Sequence, residues 1–150
     1  RLDLPAYGRL ARTAYADPVV IFVGEDADHG RANELRELGV EVVSTPFAGG
    51  ELDLVFVLEE LGRRGVRGVL VEGGGETAGR FVGRGLADKL TLFYAPKLLG
   101  SEGVPLMGSL KIAGIDAATK FHVECVEKVG EDVVVTLYPS AKEERVYRAG

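Results

Sequence analysis

Val66-Arg67-Gly68-Val69-Leu70-Val71-Glu72-Gly73-Gly74-Gly75-Glu76-Thr77 is the stretch that decides the fold. A short apolar run rich in valine stops at an acidic residue and passes three consecutive glycines. It then enters residues 77–86, where Ala78, Phe81, Val82 and Leu86 fall on one side of a helix. The pattern predicts a buried strand over residues 66–71, a tight turn, and a helix that Gly79 and Gly83 weaken by about 1 kcal/mol each.

Glycines in that position leave backbone N–H groups unobstructed at a helix N-terminus, where the aligned peptide dipoles add partial positive charge. An anion fits there. Thr77 offers a hydroxyl donor, and Gly79 lets the helix approach the sheet or a ligand closely. A tight turn with no ligand satisfies the same residues. Gly74 and Gly79 have the spacing of a P-loop, but Arg80-Phe81 stand where Lys and Ser/Thr must bind phosphates and magnesium. Gly73, Gly75 and Ala78 fit the loose dinucleotide fingerprint, yet residues 90–95, about twenty positions on, carry no carboxylate for a ribose hydroxyl. Glu72 ends the apolar run, where an unpaired carboxylate is costly to bury, and it would repel a neighbouring pyrophosphate. It is expected to point away from the glycines toward amino or hydroxyl groups of a second ligand. A structural ion pair is the alternative.

Upstream, residues 18–23 (PVVIFV) read as a central parallel strand stopping at Gly24-Glu25-Asp26, and residues 29–38 as a crossover helix closed by Gly39. Residues 40–44 form a second strand and 46–50 a turn. Residues 51–62 place Leu52, Val55, Leu58 and Leu61 at a three-residue interval, as in an amphipathic helix released at Gly65. Downstream, residues 90–95 (LTLFYA) read as a strand, 101–117 as a long irregular connection, and 121–126 with 133–138 as an antiparallel hairpin. The fold class is α/β, a mainly parallel sheet flanked by helices with a C-terminal antiparallel hairpin.

The chain of 150 residues is 46% hydrophobic and 27% charged, enough for one sizeable core. A net charge of −5 argues against nucleic acid or an anionic membrane as partner, so any anionic ligand is held locally. Absence of a membrane-length apolar run or a signal peptide points to the cytoplasm. Cys125, the one cysteine, reads as a small core or strand residue rather than a nucleophile.

Residues 70–75 (LVEGGG), the helix end Gly85-Leu86-Ala87-Asp88, and residues 92–100 (LFYAPKLLG) together resemble the reductase domain of the bifunctional riboflavin-biosynthesis deaminase/reductase. Residues 62–66 (GRRGV) and the hairpin turn Val129-Gly130-Glu131-Asp132 agree, and the similarity runs from about Arg1 to Tyr138. The resemblance implies a dihydrofolate-reductase-like fold that binds NADPH, commonly as a homodimer, without metal. The implied reaction reduces the ribosyl group of 5-amino-6-(5-phosphoribosylamino)uracil to ribityl by hydride transfer to the sugar C1′. By position Glu72 matches the substrate-contacting glutamate. Gly74, Gly75, Glu76, Thr77, Ala78, Gly79 and Arg80, led by Gly73, match the NADPH-binding segment.

The family domain ordinarily begins earlier, so residues 1–139 are expected to be an incomplete reductase domain lacking its N-terminal segment, followed by a polar tail over 140–150. An isolated chain of this extent is expected to be unstable or to pair with another chain. Two other functions remain open: a non-catalytic NADP(H)-binding or assembly module, and a pteridine or folate reductase of the same fold. Lys97 is expected as a solvated turn residue, His29 as a polar helix start, and His122 facing solvent. Gly24-Glu25 is a candidate for the adenosine end of a cofactor.

Overall fold

The computed structural model describes Leu2 and residues 4–140. They fall into two compact units that divide between Val69 and Leu70.

In the first unit, β1 (Val20–Gly24) and β2 (Glu41–Thr45) pair in parallel, with Ile21 opposite Val42 and Val23 opposite Ser44. The crossover between them is α2 (His29–Glu37), preceded by the short α1 (Arg9–Thr13). Ala11, Ala14, Val23, Ala32, Leu35, Val40 and Val42 are buried together, so the expected apolar positions Ala32 and Leu35 do face the core. Asp28 starts α2 by accepting the Arg31 amide at 2.7 Å, which satisfies one of the free first-turn donors. At the other end Gly39 takes a left-handed conformation (φ 85°). Its amide and that of Val40 return to the carbonyls of Arg36 and Leu35, a Schellman closure.

After β2 the expected turn is a complete hairpin. Strands β3 (Phe47–Ala48) and β4 (Glu51–Leu52) flank Gly49 and Gly50, both at positive φ, as a type I′ turn requires. This delays the next helix. Expected from residue 51, α3 spans Leu54–Arg63, because residues 51 and 52 belong to the hairpin and Asp53 caps the amides of Val55 and Phe56. Arg64, just beyond α3, pairs with Glu60 and reaches back to Glu41 at the start of β2.

The strand expected over residues 66–71 does not form. No ladder partner for it exists among the described residues, and Val66, Val69 and Leu70 are 41%, 46% and 82% exposed. An apolar run records a readiness to be buried, but a strand needs a neighbour to take its N–H and C=O groups. Parallel pairing is therefore confined, among the described residues, to β1 and β2.

The second unit opens with α4 (Gly75–Gly83), ended by Gly85 and Leu86 with the same closure as α2. A sheet follows in the order β5–β7–β6, antiparallel throughout: β5 (Leu90–Tyr94), β6 (Phe121–Val129) and β7 (Asp132–Pro139). The expected hairpin is thus longer than predicted, and its second strand, β7, is the centre of the three-stranded sheet. Gly130 (φ 64°) begins the two-residue turn, and a bulge interrupts β6 between Val123 and Cys125. Cys125 lies in a strand as expected but is exposed, as are all residues of edge strand β6 from Val123 on. His122 does not simply face solvent: it is half-buried and stacks on Tyr138, centroids 5.6 Å apart and 17° between planes. Residues 101–117 are irregular apart from short 3-10 turns at Gly100–Glu102 and Ile115–Ala117. Of the expected tail, residues 141–150 lie outside those described.

Candidate functional site: the uncapped start of α4

Each of the two long helices of the first unit begins with an aspartate bonded to its first-turn amides, whereas α4 begins with Gly74 and has no side-chain cap. The first internal bond of α4 runs from the Ala78 amide to the Gly74 carbonyl at 3.2 Å. Gly75, Glu76 and Thr77 therefore present N–H groups for which the helix has no acceptor. Gly74 itself is extended (φ −62°, ψ 171°), and a Cβ built on it would meet nothing within 4 Å. The approach to the three amides is open on that side.

The other expected residues take distinct places around this turn. Thr77 folds back on Gly73, where an added Cβ would stand 2.8 Å from the Thr77 Cβ and 3.1 Å from its hydroxyl. Gly73 thus makes room for the hydroxyl predicted as a donor. Glu72 is exposed at the end of the unpaired run; neither a side-chain hydrogen bond nor an ion pair of Glu72 occurs among the described residues. Ala78 is half-buried, Gly79 buried and Arg80 exposed in the last turn of α4.

Sequence reading missed what the inner glycines of α4 pack against. Residues 105–110 lie along the helix: Pro105 and Leu106 at Gly75, Gly108 at Glu76 and Gly79, and Leu110 at Gly83. The Gly108 amide donates to the Gly75 carbonyl at 2.8 Å. Cβ atoms at Gly75 and Gly79 would lie 2.6 Å from the Pro105 carbonyl oxygen and 3.1 Å from the Gly108 nitrogen. The signal was the spacing Gly75, Gly79, Gly83, which puts three side-chain-free positions on one helical face.

The other candidates belong to other segments of the chain. Lys97 is exposed beside the Lys97 amide to Ala95 carbonyl turn, and His29 is the first residue of α2. Gly24 ends β1 in the first unit, where the ring of Phe47 leaves no space for a Cβ, the nearest approach being 2.3 Å. Packing accounts for that glycine. Among the described residues no cluster of His, Cys, Asp and Glu could hold a metal ion, and no helix is long and apolar enough to cross a membrane.

A parallel βαβ unit, an antiparallel sheet and a helix started by glycine define an α/β protein whose α4 opens with amides the helix leaves unpaired. The chain belongs to the RibD C-terminal domain family, whose model matches residues 1–135. It is 31% identical to the riboflavin biosynthesis protein RibD of Aquifex aeolicus over 134 residues, covering 89% of this chain and 35% of that protein. It is 37% identical over 91 residues to the 2,5-diamino-6-ribosylamino-4(3H)-pyrimidinone 5′-phosphate reductase of the same organism, covering 60% of this chain and 39% of that one. Acinetobacter baumannii RibD has the same fold, with a TM-score of 0.75 at 21% identity over 93% of this chain and 36% of that chain. The α/β, dihydrofolate-reductase-like class expected from the sequence holds. The chain spans about a third of the length of the curated relatives it matches.

Proposed function

We propose that the chain is the NADPH-binding part of a riboflavin-pathway reductase, which reduces the ribosyl group of a phosphorylated pyrimidine to ribityl. The observation that carries this reading is the open amide set of Gly75, Glu76 and Thr77 behind Gly74, in a member of the RibD C-terminal domain family. A pyrophosphate suits the site: its charge is met by N–H groups and the helix dipole, and no side chain at Gly74 competes for them. When bound, NADPH supplies the hydride that the sugar C1′ receives.

The protein's own part is binding and orientation. The amides of Gly75–Thr77, with the Thr77 hydroxyl, hold phosphate oxygens. Gly73 and Gly74 keep the entry free of side chains, and the exposed Glu72 carboxylate accepts from amino or hydroxyl groups of the pyrimidine substrate. Glu72 and the phosphate-binding amides lie within six residues of one another, so one turn serves both substrate and cofactor.

The substrate assigned is 5-amino-6-(5-phosphoribosylamino)uracil. One relative is named for the 2,5-diamino pyrimidinone instead, which carries an amino group at position 2 where the uracil has a carbonyl. Comparing turnover of the two compounds by the full-length gene product separates these substrates. A cytoplasmic location belongs to the same reading and rests on the pathway. A homodimer also belongs to it. Leu92, Val135 and Val126 align across the second-unit sheet on the face that also carries Tyr94, Val133 and Val123, of which the last three and Val126 are exposed. Such a face gains from meeting its own copy.

NADPH titration of the wild type and Gly74→Asp tests the reading. An aspartate at this cap position fits the open space and serves the helix as Asp28 and Asp53 serve theirs, while its charge takes the place of the phosphate. Binding is lost with the fold intact; unchanged NADPH affinity in the variant overturns the proposal.

A further inference from the structure

Glu76 is the one carboxylate in the first turn of α4, so a charge that repels phosphate sits next to the amides that would bind it. Its carboxyl group lies against the Cα of Gly108. A Cβ added at Gly108 would stand 2.7 Å from the Glu76 carboxyl carbon and 2.7 and 2.8 Å from its two oxygens. Gly108 is held in place by the hydrogen bond its N–H donates to the Gly75 carbonyl, one residue before Glu76. The absence of a side chain at Gly108 is therefore a notch, fixed to the start of the helix, that the carboxylate fills.

We propose that Gly108 and Glu76 form a positioning pair: the notch draws the Glu76 carboxylate onto residues 105–108 and away from the phosphate site. The inference rests on the reading of that site as the NADPH phosphate site. The pair is assigned no contact with the reacting atoms. Its effect is on how strongly the first-turn amides attract an anion. Packing against Gly108 limits how far the charge samples the helix entrance.

Two substitutions displace the carboxylate by different routes. Gly108→Ala fills the notch and pushes the carboxylate out, since the end of a glutamate side chain yields more readily than a backbone. Glu76→Asp shortens the side chain by one methylene, so the charge can no longer reach Gly108 and stays beside the amides. It leaves residues 105–108 untouched, which keeps the test decisive if Gly108→Ala folds poorly. Glu76→Gln removes the charge and keeps the length.

NADPH dissociation constants for the full-length gene product are measured by fluorescence titration at low and high salt. Circular dichroism checks the fold of every variant. Gly108→Ala and Glu76→Asp each bind about tenfold more weakly at low salt, and the deficit shrinks as salt screens the charge. Glu76→Gln binds about two- to threefold more tightly, and Gly108→Ala/Glu76→Gln regains at least wild-type affinity. A double variant as weak as Gly108→Ala, or a Glu76→Asp protein that binds like wild type, overturns the pair while leaving the NADPH site standing. A wild-type protein that binds no NADPH overturns both.

Discussion

The amide of Gly108 donates to the carbonyl of Gly75 at 2.8 Å, a backbone-to-backbone bond that joins the irregular connection to the first residue of α4. Residues 105–110 lie so close to the helix that a Cβ would collide with backbone at Gly75 and be tight against it at Gly79. At Gly83 the nearest atom is a flexible Leu110 methyl at 3.7 Å.

That gradient along one helical face gives opposite signs to the same substitution. Gly83→Ala gains about 0.5–1 kcal/mol of stability, the ordinary advantage of alanine over glycine in a helix. Gly79→Ala has the same intrinsic gain but presses on the Gly108 backbone at 3.1 Å, where the bond to Gly75 keeps the neighbour from yielding. Overpacking of this kind costs about 1–3 kcal/mol, and the variant is less stable than wild type. Urea denaturation midpoints of the two variants check the reversal; two gains of equal size would show that residues 105–110 move aside.

Helix capping distinguishes α3 from α4. Asp53→Ala removes the acceptor for the Val55 and Phe56 amides and lowers stability by about 1 kcal/mol. Gly74→Asp raises it by a few tenths of a kcal/mol, roughly, because glycine is already a fair cap. A thermal melt therefore separates the loss of NADPH binding in Gly74→Asp from any loss of fold.

Acid exposes the pair between Glu41 and Arg64. The side-chain hydrogen bond from Arg64 holds the Glu41 carboxyl below its ordinary value of 4.5, and the same bond raises the guanidinium. With the folded value below the unfolded one, the pair's contribution is whole above about pH 4.5 and is lost as pH falls through the lowered value. Glu41→Gln flattens the fall of melting temperature below that pH relative to wild type. The difference is small and shrinks in high salt, since both groups face solvent. Identical acid limbs in the two proteins would leave the pair without a role.

Val126→Lys places a charge on the exposed face of β6. Sedimentation velocity is expected to show a shift from dimer toward monomer, with NADPH binding retained because the substitution is remote in sequence from the amides of α4. A wild type that sediments as a monomer removes the homodimer from the proposed function.

The parts of the fold governed by local chemistry were legible. Gly39 announced a helix end because a left-handed closure needs a residue without Cβ, whereas the helix expected over residues 77–86 spans Gly75–Gly83 with Gly85 in its closure; the alternation in residues 121–126 and 133–138 pointed to the hairpin. The hairpin at Gly49-Gly50 had a signal too, two glycines between short apolar flanks, which moves the start of α3 from residue 51 to Leu54. Residues 66–71 were misread because their composition carries no information about whether a neighbouring strand is there to pair with. The free amides behind Gly74 followed from glycine spacing. The contact of Gly108 with Glu76 and Gly79 did not, since it is made by backbone across a segment with no periodicity.

Glu72 stands at the end of residues 66–71, and that run has no ladder bonds among the described residues to fix it. Any strand that pairs with the run orders the backbone leading into Glu72 and so removes part of the entropy cost of placing the carboxylate on a ligand. Linkage then requires the converse: a ligand bound at Glu72 tightens the strand's hold on the run by the same factor. Strand pairing and ligand binding at the proposed Glu72 contact are in that sense two coupled equilibria, each readable through the other.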